Sequence, residues 1–280
     1  MKYSARIQEL IQKRKSVRSY QDKGIEAEKK EALIRVMNEL SKDNYRFKLI
    51  DFEFEQGAKL GTYGMIKGAK AYIVGIMNKG KGSDVYTSFD FGSDFEKIVL
   101  KATDLGLGTC WLAATFNSSD VSKLVELQDN EHVVMVSPVG YEAPKRITEK
   151  LTRFLAKSDS RKPWSELFFK IDDTMPLTRQ EAGAYAEALD MLRLAPSASN
   201  SQPWRIIKRN NKFEFYTLAS SIASKPDQKI DLSYNDLGIA KAHFELTAQA
   251  LGLNGYWEML EGDVSGLGEI TYVGAWNIVE

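Results

Sequence analysis

Two short stretches of the chain carry the residue types most capable of chemistry. The first is "KRKSVRSY", residues 13–20, in which four cations and the hydroxyl of Ser16 fall within six residues. An arginine guanidinium offers a planar set of donors that fits a phosphate, and a serine hydroxyl adds a short neutral donor. The stretch therefore suits a phosphorylated small molecule as ligand, although composition by itself favours the alternative. The alternative is a solvated basic helix end, whose cations complement the helix dipole.

The second stretch is "APSASNSQPWRI", residues 195–206, which is rich in turn-forming residues. Pro196 ends a predicted helix, a polar loop follows, and Trp204 begins a predicted strand. Such a loop presents hydroxyls, amides and backbone N–H groups, which suit a ligand with both donors and acceptors. The edge of a flavin or a purine is a ligand of this kind. The alternative is a plain helix-to-strand connection in which Ser199 or Asn200 has a capping role.

The chain also contains an internal repeat. Residues 90–111 and 236–257 align without gaps over 22 positions at an offset of 146, and eight positions are identical. The identical pairs are Asp90/Asp236, Gly92/Gly238, Leu100/Leu246, Ala102/Ala248, Leu105/Leu251, Gly106/Gly252, Leu107/Leu253 and Trp111/Trp257. We therefore expect two tandem copies, residues 1–160 and a shorter second copy at 161–280, related by an approximate twofold axis as an intramolecular pseudo-dimer. The alternative is that any two helix–strand segments resemble each other to some degree.

The elements that must position these stretches follow from periodicity and glycine placement. In each copy the repeated segment reads as a helix that ends at Gly106 or Gly252, where glycine suits the left-handed conformation. Runs rich in β-branched and aromatic residues predict six strands. They are residues 45–53, 70–78, 133–141, 204–209, 212–218 and 270–276. The expected fold class is α+β, with each copy a largely antiparallel sheet flanked by helices.

The composition excludes several classes of function. The 38 basic residues balance 38 acidic ones, so neither nucleic acid nor an anionic membrane is expected as a partner. No apolar run reaches the roughly 18 residues that span a bilayer, and the N-terminal residues lack the apolar core of a signal peptide. The two histidines, His132 and His243, have no ligand array around them in sequence, so no metal site is expected. The single cysteine, Cys110, is interpreted as buried and structural, and a cytoplasmic location is expected.

Taken together, the motifs resemble the nitroreductase family of FMN enzymes. "RKSVRSY" resembles that family's opening Arg-x-Ser-x-Arg-x-aromatic motif, and "APSASNSQPWRI" resembles its Pro-Ser-x-x-Asn-x-Gln-Pro-Trp segment. "GLGTCWLAATF", residues 106–116, is similar to its Gly-Leu-Gly-Thr-x-Trp segment. "VVMVSPVGY" and "SRKPW", residues 160–164, are similar to its closing strand and basic phosphate-binding tail. Two family-like copies in one chain resemble its TM1586-like branch most.

The resemblance implies FMN as cofactor, NAD(P)H as electron donor and no catalytic acid or base in the protein. It places Arg18 near the flavin N1 and O2 as an electrostatic stabiliser of the negative charge left by reduction. It brings the backbone of Ala113 and Ala114 to N5, where the family often has glycine. The implied cofactor-binding residues are Arg14, Lys15, Ser16, Arg18, Ala113, Ala114, Arg161, Lys162, Pro196, Ser197, Ala198, Asn200 and Gln202.

The resemblance also explains why each chemical stretch occurs once. Family members are usually homodimers with FMN at the subunit interface, so a fused chain needs one copy of each stretch to complete one composite flavin site. At an offset of 156, Ser16 aligns with Asp172, whose carboxylate would repel a phosphate. We therefore expect one intact site, one lost site and a monomer.

The activity implied is transfer of hydride from NAD(P)H through flavin N5 to a small electrophilic acceptor, such as a nitroaromatic or quinone, in a ping-pong cycle. Two alternatives remain. The chain could bind flavin without turnover, as a sensor, store or interaction module, or it could be purely structural with both sites lost.

Overall fold

The computed structural model describes most of the chain. The described residues are 2–52, 62, 64–79, 85–113, 116–144, 160–171, 174–218, 232–259, 266–267 and 270–279. The chain divides into two compact units, each built from three segments. The first unit comprises Met1–Ala5, Lys13–Thr87 and Phe95–Leu155, and the second comprises Arg6–Gln12, Ser88–Asp94 and Ala156–Glu280. The sequence-based boundary at residue 160 stays a prediction, because residues 151–159 lie outside the described residues.

The described helices and strands follow in chain order. The helices are α1 (Ile7–Lys13), α2 (Ala27–Leu40), α3 (Val85–Asp104), α4 (Ser118–Leu124), α5 (Arg179–Ala182), α6 (Ala186–Arg193) and α7 (Leu232–Ala250), with 3₁₀ turns at Trp164–Glu166, Gly183–Tyr185 and Ala198–Asn200. The strands are β1 (Tyr45–Asp51), β2 (Ala71–Asn78), β3 (Gly108–Thr109), β4 (Glu131–Gly140), β5 (Phe168–Lys170), β6 (Met175–Pro176), β7 (Trp204–Arg209), β8 (Lys212–Leu218), β9 (Gly255–Met259), β10 (Gly266–Leu267) and β11 (Ile270–Ile278).

The first unit contains a four-stranded antiparallel sheet in the order β1-β2-β4-β3. Strand β2 is central and is buried at every position except its last, as expected of a strand covered on both faces. Its apolar residues form a core with those of β4 and the chain after β3, which includes Val74, Val136 and Leu112. This sheet positions β3, beside which the first chemical stretch lies.

The second unit contains a seven-stranded mixed sheet in the order β10-β11-β8-β7-β5-β6, with β9 paired to β11. The β5–β7 pair is parallel and the other pairs are antiparallel. An aromatic cluster joins this sheet to α7, where Phe244 makes edge contacts with Phe213, Phe215 and Trp276. Strand β7 begins at Trp204, within the second chemical stretch, so the packed sheet fixes the end of that stretch.

The structure confirms the α+β class and all six predicted strands. The first predicted strand ends at Asp51, and its last residue, Glu53, lies outside the described residues. The glycine helix ends are also confirmed, with φ of 76° at Gly106 and 71° at Gly252. In both repeated segments the N–H three residues past the helix reaches back to an alanine carbonyl, Leu107 to Ala102 at 2.8 Å and Leu253 to Ala248 at 2.9 Å. This is the Schellman arrangement at equivalent positions of the repeat.

One ion pair in the first unit makes stability depend on pH. Arg46 donates from Nε and Nη2 to the two carboxylate oxygens of Glu131 at 2.6 and 2.7 Å, and the Glu131 side chain is 5% exposed. The hydrogen bonds from Arg46 hold the pKa of Glu131 below its usual range. A lowered carboxyl pKa stabilises the fold fully above the unfolded pKa of about 4.3, and this contribution is lost as pH falls through the folded value.

We therefore expect Glu131→Gln to lower the free energy of unfolding by about 1–3 kcal/mol at neutral pH, and by less below about pH 4. Urea unfolding at several pH values measures both effects. The control is Glu126→Gln, because the Glu126 side chain is 86% exposed and its bond to Lys48 is worth little. A pH-independent loss at Glu131, or an equal loss in both variants, would contradict this interpretation.

Candidate functional site

The first chemical stretch lies as extended chain beside β3. We call residues 14–18 the cationic segment. Val17 N donates to Thr109 O at 2.8 Å, and Ser16 forms a parallel bridge with Thr109. The Val17 side chain covers Gly108 so closely that a Cβ there would lie 2.6 Å from Val17 Cγ2. The first unit therefore brings together the two motifs that the sequence predicted to be near the flavin.

The residues that follow hold the cationic segment from its other side. Lys67 N donates to Arg18 O at 2.9 Å, and Tyr20 N donates to Lys67 O at 2.9 Å. Gly68 makes this approach possible, because its φ is +78° and a Cβ would lie 2.5 Å from Tyr20 O. Ala143 N donates to Ser19 O at 2.9 Å. With its backbone bonded on both sides, the segment projects its side chains in fixed directions.

Arg18 is the residue of the segment that has two side-chain nitrogens, Nε and Nη1, inside the protein without a hydrogen-bond partner among the residues that the structure describes. A buried donor without an acceptor costs about 1–3 kcal/mol, and more when it is charged. Each of the two donors can be satisfied by an acceptor atom of a ligand, and the N1 and O2 atoms of FMN are acceptors of this kind. By this criterion the residues present fit the cofactor.

The other arginine of the segment faces a carboxylate. Arg14 Nε lies 3.8 Å from Glu96 Oε1, and Glu96 is fully buried. Trp111 Nε1 donates to Glu96 Oε2 at 2.8 Å. Glu96 thus joins the cationic segment to the segment after β3 and balances the charge of Arg14. Lys15 is similarly balanced by Glu142 at 2.7 Å on the surface, and the cofactor-binding roles given to Arg14 and Lys15 stay predictions.

The second chemical stretch lies in the second unit, where it forms what we call the polar loop, residues 196–202. Three of its residues have left-handed backbone conformations, with φ of 51° at Ser199, 57° at Asn200 and 48° at Gln202. Such conformations are uncommon without glycine and cost of the order of 1–3 kcal/mol for most side chains. Other contacts must therefore hold the loop in this shape.

Side chains on both sides supply those contacts. Ser197 Oγ accepts a hydrogen bond from Gln202 N at 2.9 Å within the loop. Asp236 on α7 accepts from Ala198 N with its two oxygens at 3.2 and 3.0 Å. Asn200 Nδ2 donates to Ser160 O at 3.1 Å. The loop is therefore tied at its start, its middle and its end.

The basic tail predicted to bind phosphate lies against this loop. Arg161 donates to Asn200 Oδ1 at 3.4 Å and to Leu194 O at 3.1 Å. Lys162 N donates to Gln202 Oε1 at 2.9 Å, and Gln202 is 3% exposed. The second unit thus brings together the tail and the loop that the sequence predicted to share a site.

Arg205 adds a cation to this group. Lys162 Nζ and Arg205 Nη1 both donate to the carbonyl oxygen of Gln202, at 3.4 and 3.3 Å. Burial, and secondly the charge of Arg205, lower the pKa of Lys162, whereas the charge of Glu166 opposes the shift. Two cations on one neutral oxygen favour an anion nearby. Sequence reasoning missed Arg205, although it directly follows the Gln-Pro-Trp motif.

The remaining predicted positions are less informative. Ala113 is half-buried, next to Leu112, whose N–H and C=O both bond Val136 at 2.9 and 3.0 Å. Ala114 and Asp172 lie outside the described residues, so the predicted N5 contact and the predicted repulsion stay predictions. Pro196 is half-buried at the start of the polar loop. Cys110 is 2% exposed, which confirms that it is buried.

The described part of the chain contains neither a candidate metal site nor a candidate membrane-spanning helix. Its His, Cys, Asp and Glu side chains form no group of three or more that could hold a metal ion. Its helices include none that is both long and apolar enough to cross a membrane.

Comparisons with known proteins identify one family. The protein-family model described as "Putative TM nitroreductase" matches residues 6–248 of this chain. A structure from Thermotoga maritima, described as a "putative nitroreductase", is 21% identical, covers 99% of this chain and 96% of its own, and has a TM-score of 0.59. This likeness extends over the whole fold, an α+β fold with antiparallel and mixed sheets and helices.

Two further structures match about half of this chain. An FMN-dependent nitroreductase from Clostridium difficile is 21% identical, with 49% of this chain and 88% of that chain covered and a TM-score of 0.39. A structure from Bacteroides thetaiotaomicron, described as a "Putative NADH dehydrogenase/NAD(P)H nitroreductase", is 25% identical, with 51% and 90% covered and a TM-score of 0.40. No curated protein matches the chain.

Proposed function

Because this chain belongs to the TM1586-like nitroreductase family, we propose that it is an FMN-dependent oxidoreductase that passes hydride from NAD(P)H to a small electrophilic acceptor. A nitroaromatic or a quinone is the class of acceptor proposed. The observation that carries the proposal is Arg18, whose buried Nε and Nη1 have no partner among the described residues. A family member with such an arginine has buried cationic donors available for the acceptor atoms of a flavin.

The chain's own part in the reaction is electrostatic. FMN, when bound, supplies the hydride chemistry. Arg18 would hold a fixed positive charge at the N1 and O2 edge, where reduction leaves negative charge. Because its backbone is held by Lys67 at 2.9 Å and two of its guanidinium nitrogens are already buried, the charge needs little rearrangement when reduction occurs. No acid or base from the protein is required.

A reciprocal contact between α3 and α7 supports the proposed pseudo-dimer. A Cβ at Gly92 would lie 2.2 Å from Asn235 O, and a Cβ at Gly238 would lie 2.1 Å from Phe89 O. Gly92 is equivalent to Gly238 in the repeat, and Phe89 is equivalent to Asn235. A contact that repeats with its partners exchanged is typical of twofold symmetry. On this basis we propose that one chain satisfies the dimer interface of the family and acts as a monomer.

The proposed stoichiometry is one FMN per chain, with the cationic segment from the first copy and the polar loop from the second. The first copy's counterpart of the polar loop is "LSKDNYRF", which lacks the Pro-Ser and Gln-Pro-Trp residues. Residues 41–44 there include no left-handed residue, in contrast to Ser199, Asn200 and Gln202. The left-handed backbone conformations of the polar loop are thus absent from residues 41–44, the described part of its counterpart in the first copy.

The proposed function is tested by reducing the FMN-loaded protein with NADH or NADPH without oxygen. Rapid bleaching of the visible flavin absorption, followed by recovery on addition of a quinone, is the expected result, with parallel-line steady-state kinetics. If FMN binds but neither nucleotide reduces it, the chain binds flavin without this turnover. A failure to bind FMN would overturn the proposal.

The cations beside the polar loop give a second expectation. We expect Lys162→Gln and Arg205→Gln each to weaken FMN binding about tenfold while leaving riboflavin binding unchanged, because riboflavin lacks the phosphate. Titration of flavin fluorescence measures both affinities. Lys212→Gln is the control, since Lys212 instead pairs with Glu214 at 3.0 Å. An equal loss for FMN and riboflavin would show that the variants damage the loop and that the phosphate contact is wrong.

A further inference from the structure

Two equivalent aspartates of the repeat have different partners in the second unit. Asp90 Oδ1 accepts a hydrogen bond from Lys241 Nζ at 2.6 Å. Lys241 is 7% exposed, and its ammonium lies 4.8 Å from the ring centre of Phe89 and 5.1 Å from that of Trp257. Asp90 therefore takes part in a partly buried ion pair supported by cation–π contacts.

Asp236 occupies the same place in the second copy but contacts the polar loop. Its carboxylate is 6% exposed and accepts from Ala198 N at 3.2 and 3.0 Å. The residue equivalent to Lys241 is Phe95, which carries no charge. The ion pair of Asp90 thus has no counterpart from that position, and the second copy uses its aspartate for a backbone N–H instead.

The Ala198 N–H is the point at which the loop enters its unusual conformation. Ser199 and Asn200 follow it with φ of 51° and 57°, and Gln202 has 48°. A hydrogen bond to an ionised carboxylate is roughly twice as strong as one between neutral groups. Since Asp236 lies on the long helix α7, it fixes the loop against a rigid element.

We propose that Asp236 is a positioning residue, which holds residues 197–202 in the conformation that binds flavin. The inference rests on the proposed function for its ligand, and on the two carboxylate contacts for its geometry. Asp236 acts through the backbone of Ala198 and touches no reacting atom. Its role is to order the loop before FMN binds, so that binding does not have to order it.

The experiment compares Asp236→Ala with the matched variant Asp90→Ala. We expect Asp236→Ala to weaken FMN binding about ten- to a hundredfold, which is typical when a residue that supports a ligand-binding group is lost. Asp236→Asn keeps an acceptor oxygen, so we expect it to lose less affinity for FMN. We expect Asp90→Ala to keep the wild-type affinity for FMN but to melt at a lower temperature, because Lys241 loses its carboxylate. Fluorescence titration and thermal unfolding of the full chain give these values.

Amide hydrogen exchange supplies a readout that needs no flavin. In Asp236→Ala without FMN, we expect faster exchange at residues 197–202 than in the wild type, with no such change in Asp90→Ala. Wild-type affinity for FMN in Asp236→Ala, or equal weakening in both variants, would overturn the proposal. If the wild type itself binds no FMN, the proposed function fails, and unchanged exchange in the loop of Asp236→Ala would separately refute the positioning role.

Discussion

Replacement of Arg18 by glutamine is expected to slow the reduction of bound FMN by NAD(P)H about a hundredfold or more, and to lower the flavin reduction potential. The reason is that Arg18 brings a positive charge whose buried Nε and Nη1 have no acceptor within the described structure. A neutral amide can still donate one hydrogen bond but cannot stabilise the negative charge of the reduced flavin. Stopped-flow reduction and a potentiometric titration measure the two effects.

For the flavin-free protein, we expect that loss of Arg18 does not reduce stability. Because the buried donors are unsatisfied without a ligand, Arg18→Met should be neutral or stabilising in the absence of FMN while it abolishes tight binding. Lys13→Gln is the control, since Lys13 is an exposed cation at the end of α1. An unchanged reduction potential in Arg18→Gln would show that Arg18 does not lie at the reducing end of the flavin.

Alanine at Gly92 or Gly238 is expected to destabilise the fold by about 3 kcal/mol or more, because overpacking against a backbone cannot be relieved by a side-chain rotation. At an ordinary helix position the same change would stabilise by about 0.5–1 kcal/mol, so the sign itself is informative. The added Cβ would lie 2.2 Å from Asn235 O in one case and 2.1 Å from Phe89 O in the other. Urea unfolding of each variant measures the cost.

The two glycine substitutions should also be coupled. Each substitution pushes α3 and α7 apart where the two helices cross. The double variant should therefore lose less stability than the sum of the two single losses. Gln249→Ala, at an exposed position of α7, is the matched control and should change stability little. If Gly92→Ala unfolds like the wild type, the close reciprocal contact between α3 and α7 is wrong, and the support it gives to the pseudo-dimer is lost.

The elements of the fold were predictable because each depends on local chemistry. Strands such as β2 and β8 are rich in β-branched and aromatic residues, and Gly106 and Gly252 end their helices as glycine commonly does. The parallel pairing of β5 with β7 was not predictable in this way. It depends on which distant strands meet, and sequence patterns of single strands do not specify that.

The candidate site was predictable in its segments and not in its supports. The cationic segment and the polar loop have recognisable residue types, whereas Glu96 and Asp236 act through contacts with residues far along the chain. Glu96 looks like one charge in an amphipathic helix, although it is fully buried beside Trp111. Asp236 could have been found, because it is identical to Asp90 in the aligned repeat. The structure then shows that the two aspartates have different partners. The left-handed conformations of Ser199 and Gln202 carry no sequence signal, since neither residue favours them.

We propose that one chain builds one composite FMN site, and the amount of FMN bound per chain distinguishes this arrangement from two sites or none. Purified protein would be saturated with FMN, freed of excess ligand, and its acid-released flavin compared with the protein concentration. We expect one FMN per chain, with Asp90→Ala unchanged and Arg18→Met strongly depleted. Two FMN per chain would contradict the lost second site, and no bound FMN at saturating concentration would contradict the flavin site itself.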